Sequence, residues 1–242
     1  MNWTHDPNLA KVQLVARALG PLCERLVFVG GCAAGLLLTD AAAAPARVTY
    51  DVDLLAEVVA LAGYHRLEAE FSELGFKRDM ARDAPICRWL YGELEVDLMP
   101  TDARVLGFAN RWYPLVVQTA QPYQLPGGAV IRLIAAPAFV ATKFEAFLDR
   151  GRGDFLGSHD LEDIINVLDG RPELAGEIAQ APQEMRAYLT QQCGALLDSG
   201  AFRDALPGLV MPDESQGERI EILLWRLGQI AASPLTPASA PS

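Results

Sequence analysis

A chain of 242 residues, 51% of them hydrophobic and 21% charged, has enough apolar material to bury a full core, which argues against intrinsic disorder over most of its length. Its 20 Lys+Arg against 31 Asp+Glu leave a formal charge of −11, so a broad basic face for duplex DNA or an anionic membrane is not expected, and any polyanion must meet a local basic patch. Cys23, Cys32, Cys87 and Cys193 form no Cys-x-x-Cys pair and read as reduced, buried thiols of a cytoplasmic protein; the first residues lack a secretory pattern, and no apolar run reaches the about 20 residues of a membrane span.

Apolar residues at Leu9, Val12, Val15, Ala16 and Leu19 recur at helical spacing until Gly20-Pro21, predicting a helix over 9–19. A strand over 26–29 runs into Gly30-Gly31, and 33–38 reads as a buried helix. Residues 40–47, with five alanines and Pro45, read as a loop extension of low complexity that must loop away from the site if Gly30-Gly31 is to belong to it. Strand alternation over 48–55 puts Asp51 and Asp53 on one face. A helix over 61–74 ends at Gly75, and 86–91 with 94–99 form a hairpin around Gly92. Strand-like 129–134 closes the front half. From Pro137 helical spacing dominates, over 138–148, 161–168, 173–181, 183–198 and 218–231. The expected architecture is α/β: a small mixed sheet flanked by helices over 1–136, a C-terminal helical bundle over 137–232, and a Pro/Ala/Ser tail over 233–242 with nothing to bury and hence disordered.

Aspartate is depleted from strands, and a buried unpaired carboxylate is costly, so Asp51 and Asp53 on one strand and Asp97 on another call for a cation. Hard oxygen ligands of this kind suit Mg²⁺ or Mn²⁺, which leave coordination positions for substrate phosphates. Paired metals about 4 Å apart can both activate an attacking oxygen and stabilise a leaving one. Gly30-Gly31, at a strand-to-helix turn, allows backbone N–H groups to approach a phosphate chain.

Gly30-Gly31, then Thr49-Tyr50-Asp51-Val52-Asp53, then a strand Asp97 form a composite that resembles the polymerase-β-like nucleotidyltransferases, and within them the AbiEii/AbiGii toxin-like branch. Arg47 and Thr49 stand before the Asp-x-Asp pair as in that branch, and Lys143, the basic segment Arg150-Gly151-Arg152-Gly153 and Asp160-Leu161-Glu162-Asp163 follow downstream. The resemblance spans roughly residues 26–168. It implies a metal-dependent enzyme that transfers a nucleotide from an NTP to an acceptor, in toxin-like relatives a tRNA 3′ end. Asp51 and Asp53 bind metal, and Asp97 completes the site or helps activate the acceptor. Lys143 holds nucleotide phosphates, Asp160 orients Lys143 or the acceptor with Asp163 as second choice for that part, and Gly30, Gly31 and Thr49 contact phosphate. A cognate antitoxin is an implied partner.

Charge of −11 fits a cationic small molecule of the aminoglycoside kind better than RNA as acceptor, and a protein hydroxyl is also open. A different class of reading keeps the fold as a non-catalytic nucleotide-binding or regulatory module; survival of three strand aspartates with Lys143 speaks against it. Lys77, Arg78, Arg82 and Arg88 form a second basic cluster, offset by Asp79 and Asp83. His5, His65 and His159 are scattered and carry no expected catalysis, while Trp89, Trp112 and Tyr113 read as packing residues.

Overall fold

Leu26–Val29 are four apolar residues that are buried on both faces, and they form β1 near the middle of a seven-stranded sheet. The other strands are β2 (Asp51–Ala56), β3 (Lys77–Arg78), β4 (Arg88–Tyr91), β5 (Leu94–Pro100), β6 (Gln121–Gln124) and β7 (Val130–Leu133). Their order is β3-β4-β5-β2-β1-β7-β6. β2 runs parallel to β5 and β1 parallel to β7, while the remaining pairs are antiparallel, so the sheet is mixed. Pro122 lies in β6, the edge strand, where a missing N–H costs no ladder bond to a second neighbour. The computed structural model describes residues 6–151 and 153–232; the tail over 233–242, Arg152 and His5 lie outside the described residues.

Helices flank this sheet and then continue alone: α1 (Leu9–Leu19), α2 (Ala34–Leu37), α3 (Leu61–Glu73), α4 (Ala103–Leu106), α5 (Tyr113–Thr119), α6 (Ala136–Arg150), α7 (His159–Gly170), α8 (Leu174–Gln180), α9 (Gln183–Asp198), α10 (Gly200–Leu209) and α11 (Gln216–Ala231). The fold is α/β, with the rear half wholly helical among the described residues. β7 ends at Leu133 and α6 begins at Ala136, with Pro137 preset for a first helical turn. α6 packs on α7 and α9, and α11 on α7, α8 and α9. Buried side chains from sheet and bundle, among them Phe28, Leu54, Phe139, Phe144, Ile164 and Leu227, belong to one apolar cluster. All four cysteines are free and buried, and burial pushes the Cys23 thiol up to about 11 and those of Cys87 and Cys193 up to about 12. Among the described residues no helix is long and apolar enough to cross a membrane.

Three local differences from the sequence reading bear on the site. The helix expected over 33–38 is a 3₁₀ turn, Gly31–Ala33, followed by the single turn of α2, so the dipole behind Gly30-Gly31 is that of a short helix. The strand expected from residue 48 begins only at Asp51, where pairing with Glu95 of β5 starts. Before it, α1 satisfies the backbone: Asn8, fully buried, accepts from the Thr49 N–H at 2.9 Å and donates to the Arg47 carbonyl at 2.8 Å, and Lys11 donates to the Thr49 carbonyl. The alanine-rich insert is not a free loop. It lies against the bundle, with Asn166 of α7 donating to the Ala44 carbonyl and Arg219 of α11 to that of Ala42.

Candidate active site

Register builds the centre of the site. The Gly92-Glu93 turn pairs Tyr91 with Leu94, so Arg88 of β4 falls opposite Asp97 of β5. Asp97 in turn stands beside Asp53 of β2, and Asp53 beside Val29 of β1, immediately before Gly30. Asp51 shares a face with Asp53 because side chains alternate along a strand. One carboxylate oxygen from each of Asp51, Asp53 and Asp97 lies within 4.8 Å of the other two. Asp97 is 8% exposed, far from the open strand position that would explain an aspartate cheaply.

This cluster is electrostatically short of positive charge. Burial pushes the Asp53 carboxyl up to about 7, with the Asp51 and Asp97 charges adding to the rise, while Lys143 and Arg150 pull it down through space. Arg88 supplies the direct cation: its Nε and Nη2 donate to the two oxygens of Asp97, each at 2.9 Å, and Nη2 also reaches Asp51 at 3.3 Å. Its own pKa is raised, first by the hydrogen bond to Asp97.

A second charged cluster joins α6 to α7. Lys143, almost wholly buried, places Nζ 3.1 Å from Asp160 and 2.6 Å from Asp163. Burial pulls its pKa down, but Asp163 and Asp160 outweigh burial and leave it raised, so the ammonium stays charged. Arg150 donates to both oxygens of Asp160, at 2.7 and 2.9 Å, and Arg47 to both of Asp163, at 2.9 and 3.2 Å. Asp160 opens α7 after the Ser158 cap, as its dipole favours, and it is also the common partner of Lys143 and Arg150. Asp163, the second choice of the sequence reading, is as closely engaged as Asp160.

Gly30-Gly31 sits between the two clusters. Gly30 has φ +68°, and a Cβ there would lie 1.7 Å from an Asp53 carboxylate oxygen; one on Gly31 would lie 2.6 Å from the Thr49 side chain, 2.9 Å from Arg47 and 3.5 Å from Asp163. Only glycine lets this turn touch both groups. The donor set fits a divalent cation: three carboxylates on rigid strands, with no nitrogen or sulfur ligand among them, and a backbone approach kept free of Cβ. A cleft of about 420 Å³ opens beside the Lys143 cluster, lined by Arg47, Arg150, Ser158, His159 and Asp160. A mainly apolar cavity of about 460 Å³, lined by Leu36, Leu133, Pro137 and Met185, touches no candidate residue.

The structure thus brings Asp51, Asp53 and Asp97 together in one group and Lys143, Asp160 and Asp163 in another, with Gly30 and Gly31 between them. Thr49 is buried and donates its hydroxyl to the Asp51 carbonyl at 3.3 Å, a local bond rather than an open one. Arg47 pairs with Asp163 and not with Asp51 or Asp53. The basic cluster expected over 77–88 is dispersed: Arg78 pairs with Glu68 at 2.6 Å and lies over the Trp89 ring, while Arg88 turns into the acid group. Arg88 is the site residue the sequence reading missed, yet its signal was there, because counting back from the hairpin turn pairs residue 88 with residue 97. His65 and His159 pair on the surface with Glu68 and Glu162, and Trp89 and Trp112 are core.

No family's sequence model matches the chain, and no curated protein does. Among solved structures, the antibiotic-resistance factor ANT(2'')-Ia superposes with a TM-score of 0.45 at 19% identity, over 78% of this chain and 96% of its own. JHP933 from Helicobacter pylori gives 0.46 at 10% identity, over 93% and 91%.

Proposed function

We propose that the chain is a metal-dependent nucleotidyltransferase. The observation that carries this reading is the row Val29–Asp53–Asp97–Arg88 across four adjacent strands, with Gly30-Gly31 directly after Val29 and the Lys143–Asp160–Asp163 cluster abutting that glycine turn. Asp51 and Asp53 would hold Mg²⁺ or Mn²⁺, and Asp97 would complete the ligand set or help activate the acceptor. The bound cation would polarise phosphate oxygens and offset charge on the transferring group.

The remaining work falls to the chain. Gly30-Gly31 lets a phosphate chain approach the backbone, Arg150 and Arg47 supply positive charge where they line the cleft, and Lys143 holds a fixed positive charge buried beside them. In the transfer, an acceptor hydroxyl oxygen forms a bond to the α-phosphorus, the bond from that phosphorus to the bridging oxygen breaks, and pyrophosphate leaves with the electron pair. The hydroxyl proton passes to solvent or to the acid group. A tRNA 3′ end is the acceptor implied by the motif resemblance. A cationic small molecule is the second reading, favoured by the net charge of −11.

Incubation with each α-³²P-labelled NTP, Mn²⁺ or Mg²⁺, total tRNA, cell extract and an aminoglycoside panel tests both. Label entering RNA or a small molecule with wild type and not with Asp51→Ala is the expected result. Label entering no fraction, from a protein that still binds Mn²⁺ and NTP, would leave a binding module instead.

A further inference from the structure

We propose that Arg88 is a built-in cation of the acid row that serves in place of a second metal ion, so that this chain takes one divalent cation rather than two. The inference deepens the metal reading above and rests on it. Arg88 is not a flexible surface side chain: its side chain is 17% exposed and its strand position is fixed opposite Asp97 by the hairpin register. The planar fork holds both oxygens of Asp97 at 2.9 Å, Nη2 reaches Asp51 at 3.3 Å, and Nη1 is anchored by Glu95 at 2.5 Å from the solvent side.

Two arguments give the stoichiometry. An ionised carboxylate has about four lone-pair sites, and a bidentate guanidinium occupies two of them on Asp97, which leaves Asp51 and Asp53 as the freer ligands. Charge gives the same answer. Arg88 already serves Asp51, Asp97 and Glu95, so a second dication would sit against a fixed positive group that shares the same oxygens, and the repulsion disfavours it. Displacing Arg88 would leave Glu95, now its partner on the outer side, without a cation.

The test is titration of the purified full-length protein with Mn²⁺, followed by calorimetry and by the EPR signal of free Mn²⁺, for wild type, Arg88→Met and Arg88→Lys. One Mn²⁺ per chain is expected for wild type and Arg88→Lys, and two for Arg88→Met. Two ions on wild type, or a folded Arg88→Met that still takes one, overturns the inference and leaves the metal reading standing. If Arg88→Met does not fold, wild type and Arg88→Lys carry the test, and two ions on either is decisive against it. No Mn²⁺ on wild type removes the metal reading, and the inference falls with it.

Discussion

Gly30 shows how a single missing carbon shapes the site. Gly20 and Gly30 both have positive φ, but a Cβ on Gly20 meets nothing within 4 Å while one on Gly30 overlaps the Asp53 carboxylate. Gly20→Ala should therefore cost only the backbone strain of a side chain at φ +53° and ψ −128°, about 1–3 kcal/mol, and keep wild-type Mn²⁺ affinity. Gly30→Ala should lose both stability and Mn²⁺ binding, measured by thermal melts with and without the ion. Asp53 itself predicts a pH dependence. Its carboxyl is pushed from 3.8 up to about 7, by burial and then by Asp51 and Asp97 against the pull of Lys143 and Arg150. Below about 7 a proton must be displaced by the metal, so Mn²⁺ affinity should fall about tenfold per pH unit as pH drops from 7 and flatten above it. For the metal-free protein the sign is the reverse of a salt-bridged acid: the penalty for ionising Asp53 grows as pH rises from about 4 to 7. Asp53→Asn removes that penalty. In EDTA at pH 8 it should melt above wild type, at about 2–4 °C per kcal/mol relieved, while giving no stabilisation by Mn²⁺.

Elements, more than residues, decide which charges meet. α6 and α7 are joined by Lys143 between Asp160 and Asp163, and removing this most buried cation of the group leaves each acid with only its arginine, Arg150 or Arg47, and without the shared link between them. Lys143→Met should lower stability by about 3–5 kcal/mol, read as a shift in the urea midpoint, and a midpoint within error of wild type would show that the ammonium does not hold the helices together. Periodicity made most of these elements legible: α1, β1 and α9 match their sequence patterns end to end, because each has an uninterrupted apolar pattern closed by a clear stop. Where local signals conflict, sequence reading failed. α10 carries Gly200, Pro207 and Gly208 yet forms because Ser199 caps it and Phe202 and Leu206 are buried. α5 contains Val116-Val117, which favour strands, but both are buried against the core of a helix begun by Pro114. β6 is short, polar and holds a proline, so its only signal is the neighbouring β7. For the site, residue types were readable and partners were not: Asp97 could be named from sequence, but its bond to Arg88 needs strand register, and the bond of Arg47 to Asp163 needs the tertiary fold.

At the scale of the molecule, a net charge of −11 is set against one local group of cations, Arg47, Lys143 and Arg150, beside an acid row that holds Arg88. The field should draw a cationic acceptor in and hold a polyanion off. Raising ionic strength from about 0.05 to about 0.3 M shortens the screening length, so kcat/KM should fall for an aminoglycoside-type acceptor and rise or hold for tRNA, measured with the acceptor varied at fixed NTP. A fall for tRNA would place its contact on the Arg47 and Arg150 side instead, where the Arg150 side chain is exposed.

The hairpin that carries Arg88 and Asp97 also sets an order of events during synthesis. Both residues belong to one tight turn and can meet as soon as it leaves the ribosome, whereas Lys143, Asp160 and Asp163 are made much later, on α6 and α7. A nascent chain therefore has its Asp97 already paired, and Arg47 already made, while Lys143 and Arg150 do not yet exist. The charge cluster that ties α6 to α7 is therefore the last part of the site to be completed, because Asp160 and Asp163 are supplied only by α7.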